Sequence, residues 1–464
     1  MNPRRFAIAL LLVLAISLPA FAQQLTPNQQ LAHDVLKQLV EINTTSDVIG
    51  TEQSAKAIQQ RLLAAGFAQD DVQVMGPDAK HSNVFIRLKG RSSEKPILMI
   101  AHQDVVPARR EDWSFDPFTF TEKDGYYYGR GVSDDKQGDA NIITNMIRWK
   151  KEGWTPARDV IAVLTSDEET GENTIQWMIA HAPQVKTADL TLNADGGGGD
   201  LINGKRTVFY VQSSEKIYAD YEFTVRDRGG HSSRPRNADN PIYRLAKSLT
   251  ALATYQFPIN LNESTKIYFE RDAALRTPEV GADMKALAAG TASQEAIARL
   301  SADPQFNALM RTTCVATLID GGHASNALPQ MAKVNVNCRI LPNDNPAQIQ
   351  AKLEEIFRPA KADLRVASAP KNSPASPLRP DLMKAIDTLV AKQFPGAIVL
   401  PEMSTGATDG VFLRQAGVPV YGVEAEFDDP ADSRAHGRDE RLPIKSYYDA
   451  VEFWHELMPM LAGK

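Results

Sequence analysis

The sequence predicts an α/β fold, in which a mostly parallel sheet is flanked by helices, with an α+β domain inserted into it. In the first and the last part of the chain, short apolar runs typical of buried strands alternate with amphipathic helical segments. From about residue 214 to 370, the strand segments alternate in polarity, which is typical of half-exposed antiparallel strands. We therefore expect residues 23–213 and 371–464 to form one domain in two pieces, and residues 214–370 to form a second domain between them.

The amino terminus has the pattern of an export signal. Arg4 and Arg5 precede an apolar run at 6–18, and Ala20-Phe21-Ala22 forms a small-x-small cleavage site. The run is too short for a membrane span, and no other stretch approaches about 20 apolar residues. We expect residues 1–22 to be a signal peptide and the mature protein to be periplasmic or secreted; an uncleaved anchor is the alternative.

Composition excludes several classes of partner. A net charge of −6 and 43% hydrophobic residues are typical of a globular protein without the basic field that attracts nucleic acid or anionic membranes. The only cysteines, Cys314 and Cys338, lie in separate strand-like runs. An oxidising compartment would allow them to pair. Two isolated buried thiols are the alternative, because spacing alone does not establish bonding geometry.

The first piece of the chain begins with a helix. Thr26-Pro27-Asn28-Gln29 has the form of a capping box with proline at the first helical position. The alternation that follows predicts helices at 51–65, 138–151 and 172–180, and strands at 83–88, 97–101, 160–165 and 188–194.

The inserted segment and the last piece are predicted in the same way. The inserted elements are strands near 218–225, 312–319, 331–340 and 364–367, helices at 241–255 and 346–357, and a helical insertion within 257–310. A stretch with four prolines, 370–380, predicts a linker. The last elements are a helix at 382–393, strands at 398–400 and 418–423, and a closing helix with the apolar stripe Tyr447, Val451, Trp454 and Met458.

Two adjacent carboxylates, Glu168 and Glu169, follow the apolar run 160–164. If this run is a buried parallel strand, the pair lies at its carboxyl end, where open α/β sheets place their ligand sites. One carboxylate could then bind a metal while the other acts as a general base, as a metal-assisted hydrolase requires. A solvated helix start is the alternative for such a pair taken alone.

Further metal-ligating side chains follow other predicted strands and loops. His102 and Asp104 come directly after the strand at 97–101, with the spacing of an imidazole ligand and a supporting carboxylate. Asp134 ends a glycine-rich segment, Asp195 precedes four glycines that lack the order of a phosphate loop, and His436 lies in a late polar loop. Two histidines with several carboxylates form a zinc-compatible set. No Gly-x-Ser-x-Gly nucleophile motif competes with it.

These separated motifs resemble the two-zinc hydrolases that include aminoacylase, carboxypeptidase G, carboxypeptidase S, bacterial dipeptidases and succinyl-diaminopimelate desuccinylase. The resemblance covers essentially the whole mature chain in order. It implies that His102 and Asp195 hold one zinc ion, that Glu169 and His436 hold the other, and that Asp134 bridges them. Cobalt or manganese would suit the same ligands.

The resemblance also implies roles around the two ions. Glu168 matches the general base, Asp104 matches the carboxylate behind the first histidine ligand, and the peptide bond between Asp134 and Asp135 is expected to be cis. The two outer pieces would be the catalytic domain.

In the resembled family the inserted domain is a lid that closes on substrate and forms a homodimer. His231 matches a histidine that reaches the neighbouring subunit's active site to stabilise the tetrahedral oxyanion. Asn326 and Arg339 match substrate contacts, the arginine taking a carboxylate, and Gly406 matches a substrate-binding loop.

The resemblance leaves the substrate open. Aspartate at position 195 is commoner in the dipeptidase and aminopeptidase branches, which favours short peptides. Arg339 and the long insertion at 257–310 instead resemble carboxypeptidase S-like members. An N-acyl amino acid deacylase is therefore the alternative to a dipeptidase or carboxypeptidase. An exported binding protein of the same fold is the non-enzymatic alternative.

Overall fold

The computed structural model of the chain describes residues 24–46 and 48–463, so the predicted signal peptide lies outside the described residues. Up to the inserted segment the helices are α1 (Pro27–Val40), α2 (Glu52–Ala64), α3 (Lys136–Glu152), α4 (Asn173–His181) and α5 (Pro183–Lys186). The strands are β1 (Val72–Met75), β2 (Asn83–Leu88), β3 (Ile97–His102), β4 (Thr121–Lys123), β5 (Tyr126–Tyr128), β6 (Val160–Thr165), β7 (Leu190–Asn193), β8 (Gly198–Ile202) and β9 (Lys205–Glu215).

The inserted segment and the last piece complete the chain. The inserted elements are β10 (Ile217–Arg226), β11 (Gly230–His231), α6 (Pro241–Thr254), α7 (Glu263–Asp272), α8 (Pro278–Ala288), α9 (Gln294–Ser301), α10 (Pro304–Met310), β12 (Thr313–Gly321), β13 (Ala327–Leu328), β14 (Met331–Ile340), α11 (Pro346–Phe357) and β15 (Asp363–Ser368). The last elements are α12 (Pro380–Gln393), β16 (Ile398–Ser404), α13 (Gly410–Gln415), β17 (Val420–Gly422), β18 (Phe427–Asp428), β19 (Arg441–Pro443) and α14 (Ile444–Ala462).

A ten-stranded sheet contains strands from both outer pieces, in the order β1-β2-β6-β3-β7-β17-β9-β8-β18, with β16 paired to β9. The neighbours β6, β3, β7 and β17 run parallel to one another. Antiparallel pairs such as β1 with β2 and β8 with β9 lie on either side of them. The predicted α/β fold with a mostly parallel sheet is therefore confirmed.

Helices cover both faces of this sheet. Helices α1, α3, α12 and α14 supply apolar side chains to one buried cluster, and α4, α5 and α13 supply a second cluster on the opposite side. The predicted stripe on α14 is buried, with Tyr447, Val451, Trp454 and Met458 at most 2% exposed. Because apolar side chains face the sheet from both sides, its central strands are almost continuously hydrophobic.

The inserted segment forms a second, four-stranded antiparallel sheet in the order β12-β14-β10-β15. One face packs against α6 and α11 through a cluster that includes Tyr221, Phe223 and Val336. Cys314 and Cys338 are directly opposite each other on β12 and β14 and form a disulfide. Of the two alternatives that the sequence left open for these cysteines, the structure therefore shows the disulfide.

The helices α7 to α10 pack mainly against the large sheet. Their cluster contains Phe269 and Met284 together with Val208 of β9 and Leu400 and Met403 of β16. Strand β16 is longer than the sequence predicted, and it pairs with the unpredicted β9, so the two form a platform for these helices. The helical insertion therefore contacts the large sheet and not only the domain within which it lies in sequence.

The sequence predicts no strand at the four glycines that follow Asp195, but the second half of this run, beginning at Gly198, forms β8 in a hairpin with β9. Glycine is unfavourable inside strands, which is why the pattern did not indicate one. No helix in the described part of the chain is long and apolar enough to cross a bilayer.

Candidate metal centre

Three parallel strands deliver functional side chains to one edge of the large sheet. Strand β3 ends at His102, which is paired with Thr165 at the end of β6, just before Glu168 and Glu169. Strand β7 pairs with β3 on its other side and ends two residues before Asp195. Because parallel strands present their carboxyl ends at the same edge, residues far apart in sequence meet there.

Asp134 and His436 reach this edge from loops. Asp134 lies in the turn before α3, and its peptide bond to Asp135 is cis, as the resemblance implied. His436 lies between β18 and β19 and has a left-handed φ of 61°. Its Nε2 is 3.0 Å from Asp134 Oδ2 and 2.9 Å from Glu169 Oε2. On the other side of the same carboxylate, Asp134 Oδ1 is 3.1 Å from His102 Nε2.

The side chains form two groups that share Asp134. One contains His102, Asp134 and Asp195, and the other contains Asp134, Glu169 and His436; within each group the ligand atoms lie within 4.8 Å of one another. The structure therefore brings together all five residues that the resemblance assigned to metal, in the same two sets. Imidazole nitrogens with carboxylate oxygens form a donor set that suits zinc, cobalt or manganese.

The electrostatics of the cluster also favour cations. Burial and, to a smaller extent, the charge of Asp134 raise the pKa of the Asp195 carboxyl to about 7, although His102 opposes the shift. Burial and then the charge of Asp195 raise the pKa of Glu168 well above its ordinary value. Bringing buried carboxylates together in this way has an electrostatic cost, which nearby positive charge reduces. The residues present therefore fit a pair of divalent cations.

His102 is oriented by a hydrogen bond on its far side. Its Nδ1 donates to the backbone carbonyl of Asp104 at 3.0 Å, which leaves Nε2 facing Asp134. Burial alone would lower the pKa of this imidazole, but the hydrogen bond to Asp134 and the charge of Glu168 raise it well above its ordinary value. A histidine fixed through Nδ1 offers Nε2 to a metal.

The Asp104 carboxylate contacts the loop that carries the glutamate pair. It accepts hydrogen bonds from the Ser46 hydroxyl at 2.6 Å and from the backbone N–H groups of Glu168 at 3.2 Å and Glu169 at 3.1 Å. Its closest carboxylate contact with the His102 ring is longer, at 3.6 Å. Asp104 thus supports His102 through its carbonyl and the two glutamates through its side chain. Ser46 was not identified from the sequence, because no motif links it to position 104.

The remaining predicted residues lie in two other places. His231 is exposed on β11, where its Nδ1 accepts a hydrogen bond from the Ser233 hydroxyl at 2.7 Å. β11 pairs with β13, and the carbonyl of Asn326 accepts a hydrogen bond from Ser232 N–H at 3.1 Å. These contacts lie within the inserted domain, so His231 and Asn326 are close to each other and not in the metal-ligand groups.

Arg339 lies beside the Gly406 loop. Its Nη1 donates to the Thr405 carbonyl at 3.2 Å, and its guanidinium carbon is 4.8 Å from the centroid of the Tyr218 ring. The loop continues to Asp409, whose carboxylate accepts a 2.6 Å hydrogen bond from the Thr165 hydroxyl at the end of β6. This loop therefore connects Arg339 to the end of β6, the strand that precedes Glu168 and Glu169.

Most of the chain matches the sequence model of a known family. Residues 98–459 match the family model described as peptidase family M20/M25/M40. The chain belongs to this family. The resemblance inferred from the separated motifs is thereby confirmed at the level of an M20 hydrolase, and five of those motifs fall within the matched range.

Relatives of the M20 chain cover several activities. Human N-fatty-acyl-amino acid synthase/hydrolase PM20D1 is 28% identical over 82% of this chain and 76% of its own length. Human aminoacylase-1 is 25% identical over 79% of this chain and 80% of its own length. The probable carboxypeptidase S-like 2 of Dictyostelium discoideum is 26% identical over 79% of this chain and 72% of its own length.

Solved structures support the fold. The M20 metallo-carboxypeptidase Sso-CP2 of Sulfolobus solfataricus has a TM-score of 0.67 at 17% identity, covering 92% of this chain and 98% of its own. YXEP of Bacillus subtilis, described as a dinuclear metal binding peptidase of the M20 family, has a TM-score of 0.60 at 13% identity, covering 94% and 98%. These likenesses concern the fold alone.

Proposed function

We propose that this protein is an exported, two-metal hydrolase that cleaves an amide bond in short peptides or N-acyl amino acids whose amine part carries a free carboxylate. The observation that supports this most directly is the pair of ligand groups sharing Asp134, with Glu168 beside them but in neither group. Zinc is the metal we propose, because it is common with His and carboxylate ligands, and cobalt or manganese are the alternatives.

In this proposal His102, Asp134 and Asp195 hold one ion, and Asp134, Glu169 and His436 hold the other. When bound, the pair of cations lowers the pKa of a water molecule and polarises the scissile carbonyl. Glu168 takes the proton from the attacking water and later delivers it to the leaving amine. In the metal-free protein, burial and then the charge of Asp195 raise the pKa of the Glu168 carboxyl.

Arg339 supports the preference for a free carboxylate. A guanidinium fixed between the Tyr218 ring and the Thr405 carbonyl can present its remaining N–H groups to an anion as a planar fork. The name of one relative, N-fatty-acyl-amino acid synthase/hydrolase, indicates substrates in which an acyl group is joined to an amino acid, and a second relative is named a carboxypeptidase S-like protein. A dipeptidase that cleaves unblocked dipeptides alone, and not the N-blocked or N-acyl compounds, is the second candidate, favoured by aspartate at position 195.

We also propose a homodimer formed through the inserted domain. Strand β12 is an edge of the four-stranded sheet, and Val315, Leu318 and Ile319 are 59%, 71% and 69% exposed on it. An exposed apolar edge strand is a template for pairing with another chain. In the dimer His231, which is exposed, would donate to the developing oxyanion in the neighbouring subunit. Sedimentation should give a dimer that Leu318→Glu dissociates; a monomeric wild-type protein would contradict the proposal.

Export rests on the first 22 residues alone. Amino-terminal sequencing of protein recovered from outside the cytoplasm should give Gln23 as the first residue. Recovery of the intact chain from the cytoplasm would contradict export and leave the hydrolase proposal unaffected.

A panel of amides tests the activity. The metal-loaded protein is assayed on N-acyl amino acids, N-blocked dipeptides, unblocked dipeptides and the carboxamides of the blocked compounds, each with and without a chelator. We expect chelator-sensitive cleavage of the carboxylates and little cleavage of the carboxamides. Cleavage of unblocked dipeptides alone would establish the second candidate. No cleavage across the panel despite two bound ions would support the binding-protein alternative.

The carboxylate contact is tested by Arg339→Gln. We expect KM for the carboxylate substrates to rise about 10- to 100-fold, from the loss of a charge-assisted hydrogen bond, with little change for the carboxamides. Arg365→Gln is the matched control, because Arg365 lies on β15 of the same sheet and pairs with Glu222, away from the Gly406 loop. Equal effects of the two substitutions would remove Arg339 from the substrate site.

A further inference from the structure

A buried chain of hydrogen bonds lies behind Asp195. The side chain of Asn193 holds both backbone polar groups of this residue: Asp195 N–H donates to Asn193 Oδ1 at 3.1 Å, and Asn193 Nδ2 donates to the Asp195 carbonyl at 2.9 Å. Asn193 is the last residue of β7 and is 2% exposed. The backbone of Asp195, from which its carboxylate projects, is therefore held by an amide group at the end of a buried strand.

The same amide is linked to the Gly406 loop. Asn193 Nδ2 also donates to the hydroxyl of Thr408 at 3.1 Å. That hydroxyl donates to Glu215 Oε1 at 2.8 Å, and the backbone N–H of Thr408 donates to Glu215 Oε2 at 3.1 Å. Thr408 thus connects the loop that carries Gly406 to the strand that precedes Asp195.

This series of hydrogen bonds ends in a buried ion pair, located where the polypeptide passes from the large sheet into the inserted domain. Glu215, the last residue of β9, is 0% exposed and lies 2.8 Å from Nη1 of Arg414, whose side chain is 1% exposed. Gln212 donates to the same carboxylate at 2.9 Å. A buried pair is stable only when further hydrogen bonds satisfy it, and this carboxylate receives them from Thr408 and Gln212. The next residue, Lys216, connects β9 to β10.

We propose that Asn193 and Thr408 are positioning residues that hold Asp195 in the geometry needed to bind a metal ion. The buried Glu215–Arg414 ion pair anchors Thr408 in this arrangement. The inference rests on the proposed function in so far as Asp195 is a metal ligand. Side chains that orient metal ligands typically change metal affinity or activity about 10- to 100-fold when removed. Neither residue is in the two ligand groups, and neither is assigned a part in the hydrolytic steps.

Metal titration of the purified full chain tests this inference. Binding of Co²⁺ to the metal-free protein is followed by visible absorbance and by metal content. We expect Asn193→Ala to weaken one of the two ions about 10- to 100-fold and to leave the affinity of the other near the wild-type value. Thr408→Val should weaken the same ion less, and Thr408→Ser, which keeps the hydroxyl, should restore it.

Thr191→Val is the matched control. Thr191 lies on β7, two residues before Asn193, is 0% exposed, and its hydroxyl has no hydrogen-bond partner among the described residues. This variant should bind both ions as the wild-type protein does. Wild-type affinities in both Asn193→Ala and Thr408→Val would overturn the inference. So would equal weakening of both ions with a matching loss of thermal stability, because that result describes a general structural role.

If Asn193→Ala does not fold, the two variants Thr408→Val and Thr408→Ser test the inference. Equal metal affinities for Thr408→Val and Thr408→Ser overturn the inference, and a loss confined to Thr408→Val supports it. The proposed function fails separately: a wild-type protein that binds only one ion contradicts the two-metal hydrolase, whereas weakening of that ion by Asn193→Ala would still support the positioning role. Failure of the wild-type protein to bind any ion contradicts both.

Discussion

The two halves of the candidate metal centre differ in how they are built. His102 terminates a central strand of the large sheet, and its side chain is 2% exposed. His436 lies in a loop near the carboxyl terminus, and its side chain is 55% exposed. In the buried half the imidazole of His102 is fixed by the Asp104 carbonyl, and the backbone of Asp195 is held by the side chain of Asn193. In the exposed half the histidine does not end a strand, and its Nε2 contacts the ligand carboxylates Asp134 and Glu169 themselves.

The exposed half is held in place by an ion pair between two residues that are not metal ligands but lie close to them in sequence. Arg130 and Glu440 form a buried ion pair at 2.6 Å, and the Glu440 carboxylate also accepts from Ser133 N–H at 2.8 Å. Arg130 additionally donates to the Gly437 carbonyl at 3.0 Å. The pair thereby joins the turn that carries Asp134 to the loop that carries His436. One half is thus preorganised by the sheet, whereas the other depends on a link between two loops.

The largest effect is expected from the carboxylate that belongs to neither half. Glu168→Gln should lower turnover about 10²- to 10⁴-fold, because a positioned general base contributes this much. Both ions should stay bound, since Glu168 is in neither ligand group. The adjacent Glu169→Gln should lose turnover and also weaken metal binding. The check is kcat together with metal content after dialysis, and metal loss in Glu168→Gln would count against its role as the base.

The side chains that follow strands are the part of the site that the sequence predicted best, in both halves and at the general base. His102, Glu168, Glu169 and Asp195 were found because each comes after an apolar run that could be identified as a strand. The strand end fixes where such a side chain lies, and the sheet supplies the rest. Local pattern was equally effective for α11, which spans Pro346–Phe357 as predicted from its spacing.

The parts that the sequence did not predict depend on distant contacts. Glu215 and Arg414 are 199 positions apart, and Asn193 and Thr408 are 215 positions apart, so no local motif links them. Likewise, the packing of α7 to α10 on β9 and β16 follows from apolar surfaces that become adjacent only after the sheet has formed. The spacing of residues in the sequence predicts helices, strands and strand ends. It does not predict which buried polar groups form hydrogen bonds with one another.

The two halves should also differ in how much each contributes to the stability of the metal-free protein. His102→Ala should lower the free energy of unfolding by about 1–3 kcal/mol, because it leaves buried hydrogen-bonding groups without a partner. His436→Ala should lower it by less than about 1 kcal/mol, as for a solvent-screened ion pair. Both variants should lose most turnover. Urea denaturation of the chelated proteins measures the difference, with His323→Ala, an exposed histidine, as control. Equal destabilisation by the two variants would show that the halves are equally preorganised.

The smallest expected effect is a pH dependence that changes sign with metal. In the metal-free protein, hydrogen bonds to Asp134 and Glu169 raise the pKa of His436 to about 10. Since the folded-state pKa is above the unfolded value of about 6.5, this contribution to stability is fully present below about pH 6.5 and is lost as the pH rises towards 10. The difference in unfolding temperature between the wild-type protein and His436→Gln should therefore shrink across this window, and salt should reduce it because the side chain is half-exposed.

With metal bound the opposite trend is expected. A histidine ligand must be neutral, so metal binding is favoured as the pH rises, and the stabilisation that depends on His436 should grow rather than shrink. Thermal unfolding of both proteins, measured with and without the ion across the same pH range, gives the two slopes. Slopes of the same sign in both states would mean that His436 acts only as an ion-pair partner of Asp134 and Glu169, and the exposed half would then not be a metal site.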